Sequence, residues 1–121
     1  MQGKSVLLGL VIFIVMDAVF LLLNEHLFAT QVIEVQRVTM ITKSVPIAVT
    51  YAIICFAFWY FVLRTNRPAW EAAILGFVIH SIFELTNYSI FKKWKLETVA
   101  LDSAWGAVLW GCATYLTYEL R

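Results

Sequence analysis

Three carboxylic acids, Asp17, Glu84 and Asp102, interrupt runs of residues that are otherwise apolar. Glu84 lies near the end of one of these, from Ala69 to Asn87, which is long enough to cross a bilayer. An ionisable side chain at the centre of a bilayer costs about 3 kcal/mol or more unless it is paired, wetted or protonated. Such a residue is therefore a candidate functional group. His80, Glu84 and Asn87 stand at i, i+4 and i+7, which puts them on one helical face. Asp102, Trp105 and Gly106 share a stripe further on, where the glycine admits a close neighbouring helix. An imidazole among buried carboxyls is suited to carrying a proton or to holding and releasing a cation.

Each residue also has a plain structural role to weigh. Glu84 can pair with His80 one turn away or with a nearby lysine, and Asp102 can serve as the cap or first-turn acid of its helix. His80 can be a hydrogen-bonded core residue. Asp17 is harder to excuse, having no basic residue within a turn.

The elements that must position these groups follow from hydropathy. Apolar residues make up 62% of the 121-residue chain and charged ones 14%, against roughly 45–50% and 25% in soluble domains. A soluble fold of this length could not bury that excess. It falls instead into four blocks, at about residues 5–24, 44–63, 69–91 and 99–120. Each reaches the roughly 20 residues a helix needs to cross the hydrocarbon. The sequence thus predicts one all-α domain, a four-transmembrane-helix bundle. The first block is longer than a signal-peptide core and lacks a small-x-small cleavage site, so it reads as a retained span. Pro46 and Pro68 fall at helix starts. In residues 25–43, Phe28, Val32, Val35 and Val38 recur opposite Thr30, Glu34 and Arg37. That pattern predicts a short interfacial amphipathic helix between the first two spans.

Depth can now be compared. Asp17 and Glu84 each come seven residues before the end of their spans, and Asp102 three residues into the fourth. All three then fall in one leaflet, Asp17 and Glu84 roughly 10 Å inside its surface and Asp102 nearer to it. In a four-helix bundle they can converge on one polar cavity, rimmed by Lys92, Lys93 and Lys95.

Net charge is +1, so no basic field argues for nucleic acid. Lys4, Arg64, Arg67 and Arg121 lie at one face of the membrane; Arg37, Lys43, Lys92, Lys93 and Lys95 lie at the other. Four against five gives no orientation by the positive-inside rule, and dual topology stays open. Metalloprotease, nucleophile-elbow and phosphate-loop motifs are absent. Two histidines and two isolated cysteines, Cys55 and Cys112, support neither a metal centre nor a disulfide. No cofactor is expected.

From Pro68 onward the chain resembles a bacterial membrane family known as domain of unknown function 2177. The resemblance rests on Ala72-Ala73-Ile74-Leu75-Gly76, Glu84-Leu85-Thr86-Asn87, Trp94 and Asp102-Ser103-Ala104-Trp105-Gly106. Met16-Asp17-Ala18 with Phe20 matches more loosely. The chain departs from the family pattern at Glu84 and His80, where Asp and an aromatic are usual, and at Phe20, where Trp is common. The resemblance implies four spans and a membrane location, and brings no activity with it.

The leading expectation is a small transporter or channel-like protein for protons, cations or a small polar solute. Asp17 and Glu84 would form the binding or exchange site, extended by His80 and Asn87, with Asp102 at its mouth. One copy of this size can hardly enclose a pathway, so a homo-oligomer or larger membrane complex is implied. The alternative is a non-catalytic accessory subunit, docking through Phe56, Phe58, Trp59 and Phe61. A lipid-modifying enzyme with the acids as general acid and base is a third reading, for which the motifs give no leaving-group chemistry.

Overall fold

The computed structural model describes residues 3–36 and 43–121, and within them every regular element is helical. The elements are α1 (Gly3–Leu23), α2 (Glu25–Gln36), α3 (Ser44–Phe58), a π-helical turn (Trp59–Leu63), α4 (Ala69–Ile90) and α5 (Leu96–Leu120). Helices Gly3–Leu23, Ser44–Leu63 and Ala69–Ile90 are long and apolar enough to cross a membrane. The fourth expected span, α5, has 25 residues, but it carries Glu97, Asp102 and Glu119 and is more polar than the other three long helices.

Its position explains that polarity. α5 packs along α4 and against α1, and it buries Thr98, Val99, Ser103, Gly106, Leu109, Trp110, Ala113, Thr114 and Thr117. Because α5 faces other helices more than lipid, it can carry hydroxyls and small residues where α1 carries aliphatics. Thr114 and Thr117 return their hydroxyls to the carbonyls one turn back, at 2.7 and 2.6 Å. That bond removes the cost of burying the group.

Glycine sets the closeness of α4 and α5. A Cβ on Gly106 would come within 2.5 Å of the Gly76 carbonyl oxygen and 2.6 Å of His80 Cγ. A Cβ on Gly76 would strike the Gly106 carbonyl oxygen and the Trp110 indole. At this crossing only hydrogen fits, and the two backbones approach as small-residue helix pairs do in membranes. Gly111 faces Ala73 in the same seam.

The apolar core occupies the end of the bundle that holds the turn at residues 64–68. There Trp110 stands edge-on to Phe13 and Phe58, at 5.3 and 5.5 Å between ring centres, among Val62, Leu63, Ala72, Leu109 and Ala113. The π turn widens α3's last winding so that Phe58, Val62 and Leu63 are all buried. Asn66 takes the left-handed conformation (φ 53°) that closes the turn, one that asparagine tolerates better than most residues. Arg121 bonds the Asn66 side chain and Tyr118 the Arg67 carbonyl, which ties the end of α5 to this turn.

At the opposite end a single residue separates α1 from α2. The Asn24 side chain donates to the Phe20 carbonyl at 2.9 Å, and its own carbonyl accepts Phe28 N–H at 3.1 Å. The expected helix between the first two spans is thus present, with Phe28, Val32 and Val35 half-buried. Arg37 and Val38, part of the same predicted pattern, lie outside the described residues. The residue α2 buries most deeply is polar. Gln31 donates to the Lys93 carbonyl at 2.6 Å and accepts from Lys95 N–H and the Thr98 hydroxyl, both at 3.0 Å. It clasps the α4–α5 connection against α2.

Candidate functional site

Measured along their helices, the three acids are level. Asp17, Glu84 and Asp102 each stand six residues from the same end of the bundle, at Leu23, Ile90 and Leu96 respectively. That corresponds to about 9 Å of helix rise. Asp102 is deeper than expected because α5 begins at Leu96 rather than near Val99. It is therefore not a cap; the first-turn acid of α5 is Glu97.

Glu84 is 1% exposed. Asp102 is its neighbour across the α4–α5 seam, and Glu84 Oε1 accepts the Trp94 indole N–H at 2.9 Å. His80 does not pair with Glu84 as the one-turn spacing suggests. Its Nδ1 lies 3.4 Å from Asp102 Oδ1 on the other helix, because Gly106 leaves the space that the imidazole occupies. The chain of contacts thus runs Trp94, Glu84, Asp102, His80. Beyond it, buried His80 Nε2 and the Ser81 and Ser103 hydroxyls have no hydrogen-bond partner among the described residues.

Asp17 forms a neighbouring cluster. Its Oδ2 accepts the Tyr51 hydroxyl at 2.8 Å and its Oδ1 the Trp105 indole N–H at 3.1 Å. Trp105 is held flat against Phe20, with ring centres 4.6 Å apart, and sits one turn along α5 from Asp102. The acids therefore meet α5 at adjacent positions: Glu84 at Asp102 itself, Asp17 through Trp105. Asn87 is half-buried, and its backbone carbonyl accepts Phe91 N–H at the end of α4.

The expected open cavity takes a different form. Two grooves do lie at this end, of about 690 and 390 Å³, and Lys92, Lys93 and Lys95 line them. Neither is lined by Asp17, Glu84 or Asp102. Trp94 stands between, with one edge on the groove and its indole N–H on Glu84. Among the described residues no group of three or more His, Cys, Asp or Glu is placed to hold a metal ion.

Sequence reasoning names Trp94 only as part of the family pattern and leaves out Tyr51 and Gln31. A donor in a loop or on another helix has no fixed spacing from its acid, so periodicity cannot reveal it. The weak signal available was the Trp following the acidic segment in the family pattern.

The fold and its buried polar cluster define a helical integral membrane protein. The family described as predicted membrane protein, domain of unknown function 2177, matches residues 3–119. The chain belongs to that family. No curated protein and no solved structure matches it.

Proposed function

We propose that the chain is a four-span membrane protein in which Glu84, Asp102 and His80 hold an exchangeable proton or a small cation for transport. α5 is the fourth span: its 25 residues rise about 37 Å, enough for the hydrocarbon thickness. The observation that carries the reading is a fully buried Glu84 on α4 facing the α5 acid Asp102, whose Oδ1 lies 3.4 Å from the His80 imidazole. A proton shared by two acids at that depth has a path inward through His80 and outward past Trp94. Asp17 serves beside it as an acceptor fixed by Tyr51 and Trp105. Intramembrane acids and histidines of this kind make up proton relays in transporters. A pathway of sufficient length calls for two or more copies.

Liposomes containing the protein, a pH-sensitive dye and an imposed potential test this. The wild type should acidify the lumen, and Glu84→Gln should slow that flux at least tenfold. Equal flux in the two proteins would remove the transport reading.

A second reading is favoured by one specific feature: every buried acid finds its donors within its own chain. An accessory subunit needs nothing more of them. Its docking face would be narrower than the aromatic content suggests. Phe58 lies in the core and Trp59 packs against it, which leaves Phe56 and Phe61, each 55% exposed. Under this reading Glu84→Gln leaves the host complex assembled, and a charged residue at Phe56 or Phe61 releases it.

A further inference from the structure

The connection between α4 and α5 carries a basic feature that the acid cluster does not use. Lys92 lines both grooves at this end, with Lys93 on one side and Lys95 on the other. Lys95 is engaged by Glu34 of α2, at 3.8 Å. Glu97, on the wall of the larger groove, is the first-turn acid of α5, where the helix dipole favours a negative charge. Lys92 and Lys93 have no carboxylate partner among the described residues. They are exposed, on a short connection pinned by the Gln31 clasp and by the Trp94–Glu84 bond. Apolar side chains stand among the polar ones beside them. Ile90 is 67% and Leu96 60% exposed, with Phe91 between the grooves. The Tyr88 side chain completes the larger groove.

We propose that Lys92 and Lys93 bind the phosphate headgroup of an anionic phospholipid, whose acyl chain lies along Ile90, Phe91 and Leu96. The argument is charge complementarity together with position. The connection joins the ends of two long helices, where the headgroup layer of the bilayer is the material that meets it. Two ammonium groups without a carboxylate partner among the described residues supply the charge, and the exposed Ile90, Phe91 and Leu96 side chains distinguish a lipid from free phosphate. A lysine near an anionic surface gains roughly fivefold in binding. The preference of the pair for anionic over zwitterionic lipid is therefore expected to be about tenfold or more.

Spin-labelled phosphatidylglycerol and phosphatidylcholine in vesicles carrying the protein provide the test, read as the relative association of each lipid with the protein. The wild type should favour phosphatidylglycerol by about tenfold, and the double variant Lys92→Gln/Lys93→Gln should fall to within twofold of no preference. Lys4→Gln, at the other end of the bundle, should leave the preference unchanged. Millimolar inorganic phosphate should not compete. An unchanged preference in the double variant, an equal loss in Lys4→Gln, or displacement by inorganic phosphate would each overturn the proposal. The substituted lysines are exposed, and helical content by circular dichroism checks that the fold is kept.

Discussion

Two carboxyls of the cluster are met by aromatic donors: Asp17 by Tyr51 and Trp105, Glu84 by Trp94. Tyrosine and tryptophan suit this task in a bilayer, since a large apolar body brings one polar group to the acid. Interhelical hydrogen bonds of this kind contribute about 1 kcal/mol within a membrane. Tyr51→Phe is accordingly expected to lower the unfolding free energy by about that amount. Tyr115→Phe, on a 57% exposed side chain, should stay within roughly 0.5 kcal/mol of the wild type. Unfolding in mixed micelles measures both, and equal effects would show that the Asp17 bond adds nothing. The sequence shows which side chains are costly to bury. It does not show their partners, because Tyr51 and Trp105 are 34 and 88 residues from the acid they serve.

At the scale of helices, hydropathy and geometry contribute differently. The boundaries of α1, α3 with its π turn, and α4 were legible within a few residues, because a lipid-facing helix must be apolar on all sides. The start of α5 was not, since its N-terminal turn contains Glu97 and Thr98 and rests on Gln31 rather than on lipid. The π turn leaves no mark in composition; it appears only when Phe58, Val62 and Leu63 must share one core. Gly106 was recognisable as a packing position, but that it faces Gly76 depends on the antiparallel register of α4 and α5. That register makes a prediction. Gly76→Ala or Gly106→Ala should each destabilise the protein by about 2 kcal/mol, the usual range for overpacking. Gly3→Ala, which meets no atom within 4 Å, should have no effect. Thermal or denaturant unfolding in micelles checks the contrast, and tolerance at Gly106 would contradict the close crossing.

The whole molecule divides along its length. An aromatic and aliphatic core fills the end with the 64–68 turn, and the buried acids lie toward the end where α2 clasps the α4–α5 connection. Lipid-facing surface accounts for much of the apolar composition, including exposed Leu22, Leu23, Ile53 and Ile82. Neither the charge balance nor the fold sets an inside and an outside. The polar end, with its acid cluster beneath a basic rim, is the asymmetric feature on which a direction of transport would depend.

The transport proposal requires that Glu84 and Asp102 hold a proton between them inside the bundle. Infrared difference spectroscopy of the protein in liposomes reads this directly, through the carbonyl stretch of a protonated carboxyl. The wild type should show such a band near neutral pH, and Glu84→Gln and Asp102→Asn should each abolish it. A wild-type spectrum with only ionised carboxylates, or a band that survives both substitutions, would contradict the shared proton.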